Sequence, residues 1–190
     1  PPGISIRIRM ELFEINKFDN LSKIISLLNS WQVIDLINKD IKMNPKFTRG
    51  LHWIKKLDGK EILYLIKDSK SNEILCERLY INNKDRNILN EYNFIKSKFE
   101  QNKEKYKYFS ASNWTAFIED NNLDPETIKL LISESILFWR ELFRWLFIYR
   151  FIKSSKNGQT LKEEGWKEGK NIGDEIKRLR YINIDNYSKH

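Results

Sequence analysis

The chain has 190 residues, 41% hydrophobic and 13% aromatic, with 34 Lys and Arg against 26 Asp and Glu, a formal net charge of +8. That length supports one large or two small packed domains, and the cation excess favours a polyanionic partner such as nucleic acid or an acidic membrane surface. One cysteine, Cys76, excludes an internal disulfide and suits a reducing cytoplasm, and two histidines, His52 and His190, leave little from which to build a histidine triad or a zinc site.

The chain opens Pro1-Pro2-Gly3 without methionine or a signal pattern, which reads as an excised piece of something longer. Ile8, Leu12 and Ile15 then line one side of an amphipathic helix over Ile4 to Ile15. Leu21, Ile24, Ile25, Leu28 and Trp31 repeat at helical spacing, followed by Val33, Ile34 and Ile37. Pro45 suits the first turn of a helix that turns Phe47, Leu51, Ile54 and Leu57 inward and ends at Asp58-Gly59.

Between Glu61 and Ile81 two apolar runs, Ile62 to Ile66 and Ile74 to Ile81, flank the turn-like Asp68 to Asn72. A β-hairpin is the alternative there; helices are favoured because neither run alternates polar with apolar. Ile88, Tyr92, Ile95 and Phe99 mark a helix that fades into the polar Glu100 to Lys107, so the expected domains are 1–102 and 103–190. Asn113 is placed to cap a short helix that buries Trp114, Phe117 and Ile118. Asp124-Pro125-Glu126 is a stronger start, with an N-cap acceptor, a proline at the first helical position and an acidic first turn.

Ile136 to Ile152 is the most apolar segment, and its length approaches a membrane span. Arg140, Glu141, Arg144 and Arg150 would each cost roughly 2.5–3.5 kcal/mol near a bilayer centre, so it reads as a central core helix and no membrane association is expected. The fold class that emerges is an all-α, multi-helix array.

After the polar loop Ser154 to Gln159 comes LKEEGWKEGKNIGDEIKRLRYINID, Leu161 to Asp185. Gly165 and Gly169 read as the bends of a tight hairpin, and Gly173 lies one turn inside a second helix over about Asn171 to Arg180. A helix start ringed by glycine and Lys170 offers unpaired amides and a positive dipole end to a phosphate or carboxylate. The alternative is that Gly165 and Gly169 merely cap and join two packed helices. Lys153, Lys156, Lys167, Lys170, Lys177, Arg178 and Arg180 form a basic cluster interleaved with Trp166 and Tyr181. An ordinary solvated face remains open too, because Glu163, Glu164, Glu168, Asp174 and Glu175 are mixed in.

No GxxxxGK[ST], CxxC or HExxH pattern is present. Cys76 has no evident base partner, and Glu119, Asp120 and Asp124, the densest acidic group, sit where capping explains them.

The run Gly165-Trp166-Lys167-Glu168-Gly169-Lys170-Asn171-Ile172-Gly173, continued by Ile176, Leu179 and Arg180 and closing at Ile184-Asp185, resembles the terminal motif of class II tRNA nucleotidyltransferases and bacterial poly(A) polymerases. Arg7-Ile8-Arg9-Met10-Glu11-Leu12 resembles that family's ERIRxEL helix, and Arg78-Leu79 its RLxLS segment. Departures are Glu168 and Lys170 in place of prolines, Ile6 in place of Glu, and Asn186 in place of the closing glycine.

The resemblance implies the end of a neck plus a helical body and tail that grip tRNA, without the catalytic head, which would use Mg2+ with CTP or ATP. It implies tRNA or other RNA as partner, no cofactor and no catalytic residue in this chain, and RNA contacts at Gly165, Lys167, Gly169, Lys170, Asn171, Gly173, Lys177 and Arg180. A non-specific DNA-binding helical module and a protein-interaction scaffold remain the competing classes.

Overall fold

A computed structural model describes residues 7, 10–11, 14, 21–37, 41–68, 72–134 and 136–189, and every regular element among them is helical. The helices are α1 (Leu21–Ser30), α2 (Val33–Ile37), α3 (Pro45–Lys56), α4 (Glu61–Ile66), α5 (Asn72–Arg78), α6 (Asn83–Gln101), α7 (Lys103–Lys107), α8 (Ala111–Asp120), α9 (Pro125–Ser133), α10 (Trp139–Phe147), α11 (Gly158–Glu163) and α12 (Lys170–Ser188), with a 3-10 turn at Tyr149–Phe151. The all-α expectation is met. Most of the segment expected as a helix over Ile4 to Ile15 lies outside the described residues; Arg7, Met10, Glu11 and Glu14 are helical, and Arg7 Nε lies 3.9 Å from Glu11.

Two compact units form. The first comprises residues 1–101 and 124–139 and the second residues 102–123 and 140–190, so no single cut of the chain separates them. In the first, α9 packs on α3 and α6, and Leu51, Ile54, Tyr92, Ile95, Ile128 and Leu131 are buried. The proline starts work as the sequence suggests: Asn44 accepts from the Phe47 N–H at 2.9 Å ahead of Pro45, and Asp124 accepts from the Glu126 N–H at 2.9 Å ahead of Pro125. The first apolar run is helical and the second is helical as far as Arg78, before a turn at Leu79-Tyr80, and all six residues of α4 are buried. Full burial removes the need for alternation, which is why the run carries no periodic signal.

In the second unit α12 packs on α8 and α11, and α8 meets the 3-10 turn. Tyr106, Phe109, Trp114 and Phe117 form an aromatic cluster with centroids 5.1–6.4 Å apart. Two expectations are corrected here. Ser110, not Asn113, caps α8, accepting from the Asn113 N–H at 3.2 Å. Asp185 completes that cap, accepting from the Ser112 N–H at 2.8 Å and from its hydroxyl at 2.7 Å.

The expected core helix over 136–152 is only α10 followed by the 3-10 turn, because Phe138 at φ +69° and Ile148 at φ −128° break the helical path at each end. It is buried on one face alone, through Leu142, Trp145, Leu146 and Tyr149. No helix among the described residues is long and apolar enough to cross a membrane.

Candidate nucleic-acid interface

Asn157 caps α11 by accepting from the Thr160 N–H at 2.9 Å, and the helix ends in a glycine stop. Gly165 has φ +91°, its N–H donates to Lys162 O at 2.9 Å, and the Trp166 N–H donates to Leu161 O at 3.0 Å. That pair of bonds closes the helix in the way a left-handed residue after the cap allows.

Four residues after Gly165, Gly169, at φ +132° and ψ −159°, becomes the N-cap of α12, a conformation open in practice only to glycine. Both bends expected from the sequence are therefore present. The second helix runs on to Ser188, well past Arg180, because Ile184 is fully buried and carries the apolar face further.

Residues 162–171 are exposed throughout. No side chain caps α12, and among the described residues no acceptor meets the N–H groups of Lys170 and Asn171; the Ile172 N–H turns back to Gly169 O at 3.2 Å. Nothing lies within 4 Å of where a Cβ would stand on Gly165, Gly169 or Gly173, so a ligand can approach this backbone closely.

The cations of the cluster divide into two sets. Lys156 pairs with Glu164 at 2.7 Å, Lys162 with Glu168, Lys177 with Asp120 at 2.7 Å, and Arg178 with Glu175 at 2.7 Å. The hydrogen bond from Lys177 to Asp120 holds its ammonium pKa above the usual value. Arg180 is bound inward: Nη1 and Nη2 reach Glu119 at 2.6 and 2.8 Å, and Nε donates to Ile152 O at 2.8 Å. Its position suits joining α12, α8 and the 3-10 turn.

Lys153, Lys167 and Lys170 have no acidic partner among the described residues and all three are exposed, Lys167 next in sequence to the half-exposed Trp166. The structure thus gathers Gly165, Lys167, Gly169, Lys170, Asn171 and Gly173 on one open turn and its following helix start, with Lys177 and Arg180 further along α12 in ion pairs. Sequence reading missed that Glu119 and Asp120 are the partners. Their proximity to α12 spans about sixty residues and leaves no local signal.

The other concentration of charge, in the first unit, is internal. Lys67, 2% exposed, donates to Glu134 at 2.8 Å and to Asp68, and Tyr64 donates to Glu134 at 3.2 Å. No group of three or more metal-ligating side chains occurs among the described residues. Cys76 is buried, and that burial pushes its thiol pKa up, away from the thiolate form.

What the fold and the turn define is an all-α protein of two helical units with an exposed cationic glycine turn. No protein-family model, curated protein or solved structure matches the chain.

Proposed function

We propose that this chain is an RNA-gripping helical region, and that the Gly165–Gly169 turn with the first turn of α12 is its phosphate handle. One observation carries the reading: an uncapped helix start, reached through a glycine in a conformation other residues avoid, stands in solvent beside two lysines without acidic partners. Amide groups and the dipole orient a phosphate there, and Lys167 and Lys170 supply the charge. The dipole alone contributes about 0.3–1 kcal/mol, so the lysines supply most of the grip.

The family resemblance makes tRNA the substrate of choice. In that reading the chain holds the tRNA while a catalytic part outside these residues adds C or A. The buried lone Cys76 suits a cytoplasmic setting.

Binding of the full chain to tRNA and to duplex DNA at matched salt tests this. Lys167→Glu with Lys170→Glu is expected to weaken tRNA binding by roughly tenfold or more while leaving the helical circular dichroism unchanged. Lys177→Glu, which removes a cation already paired with Asp120, is expected to do less. Unchanged tRNA affinity in the double variant removes the turn from the mechanism, and equal affinity for duplex DNA favours a general phosphate binder.

A further inference from the structure

In the stretch Arg140 to Phe151, Phe143, Phe147 and Phe151 recur every fourth residue, and one acid, Glu141, stands among Arg140, Arg144 and Arg150. Four residues advance a helix by one turn plus about 40°, so Phe143 and Phe147 sit one above the other on the same side of α10. Their rings lie 4.7 Å apart. Leu142, Trp145, Leu146 and Tyr149, on another side, are buried.

The sorting of side chains is informative. Leu142 and Leu146 are inside, whereas the large apolar side chains exposed in this stretch are phenylalanines, Phe147 at 48% and Phe151 at 62%. Cations adjoin them: Arg144 is exposed, with no acidic partner among the described residues, and the Arg150 guanidinium lies 4.6 Å from the Phe151 ring centroid. Exposed aromatic rings beside guanidinium groups are the combination on which unpaired bases stack while phosphates are neutralised.

We propose that Phe143, Phe147 and Phe151, with Arg144 and Arg150, form a stacking surface for unpaired nucleotides of RNA. This rests on the RNA reading of the glycine turn and adds the class of strand the second unit selects. Arg180 fastens the end of the 3-10 turn to α12 through Ile152 O. Arg180 lies ten residues beyond Lys170, which is about 15 Å along the helix axis. An RNA with a paired stem and a single-stranded end can reach both places, its stem phosphates at the turn and its unpaired bases on the rings.

The test uses the full chain, labelled oligouridine and a blunt RNA hairpin whose loop is a non-nucleotide linker. Phe147→Leu with Phe151→Leu keeps apolar bulk and removes the π faces; it is expected to weaken oligouridine binding at least about fivefold and to leave the hairpin unaffected. Phe147→Tyr with Phe151→Tyr is expected to retain oligouridine affinity. Oligouridine binding that survives the leucine exchange overturns the proposal. Loss of binding to anionic phospholipid vesicles in Phe147→Ala with Phe151→Ala, with RNA binding intact, also overturns it by making the face a membrane contact. If the hairpin binds through Lys167 and Lys170 while oligouridine ignores the rings, only this proposal falls. If the wild-type chain binds neither RNA, the reading of the glycine turn falls with it.

Discussion

Gly169 and Gly173 stand four residues apart, both exposed, and have opposite conformational demands. Gly169 holds φ +132°, where a side chain strains the backbone, while Gly173 is helical with open space around it. Gly169→Ala is therefore expected to cost about 1–3 kcal/mol of stability, and Gly173→Ala to add about 0.5–1 kcal/mol by restricting the unfolded chain and favouring helix. Urea unfolding curves of the two variants check this; destabilisation by both would mean that Gly173 also meets a steric demand. Gly50 differs again, since a Cβ there would fall 1.9 Å from Tyr64 Oη. The Asp-Gly and hairpin contexts mark turn glycines in the sequence, but nothing local marks a glycine required by a neighbouring helix.

At the scale of elements, Lys67 just beyond α4 and Glu134 just beyond α9 join two segments of the first unit in a buried ion pair. Burial pushes the Glu134 carboxyl upward, but the Lys67 ammonium and its hydrogen bond, helped by Lys46, outweigh that and leave it below its ordinary value of 4.5. Asp68 is also held low, with burial opposed by Lys67 and Lys96.

A carboxylate whose pKa is depressed on folding stabilises the protein above its unfolded value and loses that contribution as pH falls through the folded one. Melting temperature is expected to drop as pH is lowered below about 4.5, and Glu134→Gln should flatten that acid limb. Glu61 opposes the trend, because burial raises its carboxyl pKa. Lys67→Met, which leaves Glu134 with only the more distant Lys46 at 3.6 Å and the Tyr64 hydroxyl, is expected to cost up to about 3–5 kcal/mol near neutral pH. A melting temperature in Glu134→Gln that falls with acid as steeply as in the wild type would show the pair to be immaterial.

For the whole molecule, net charge and usable charge differ. The formal balance is +8, yet Lys156, Lys162, Lys177, Arg178 and Arg180 in the second unit are all paired with acids. If Lys167 and Lys170 are the turn's phosphate contacts, removing both is expected to reduce the slope of log affinity against log salt by about 1.8 on a paired RNA stem. Binding titrations across a range of salt measure it directly. An unaltered slope would assign the electrostatic grip elsewhere on the surface.

Much of the architecture was legible from local chemistry alone. Apolar spacing along α6, the Asn44-Pro45 and Asp124-Pro125 starts and the two glycine bends depend on residues within a turn or two of each other. The start of α8 was not, because Ser110 and Asn113 both suit a cap and the carboxylate of Asp185, 73 residues on from Ser112, takes part in the outcome. The limited burial of α10 was hidden as well, since an apolar composition does not reveal which aromatic rings will find a partner.

The sequence by itself determined that the chain is helical, where several helices begin, and that a glycine-bent turn precedes the last one. Only the tertiary structure decided which lysines remain unpaired and which phenylalanines face water. Those outcomes depend on partners such as Glu119 and Asp120, 61 and 57 residues from the cations they neutralise, and chain periodicity carries no record of contacts at that range.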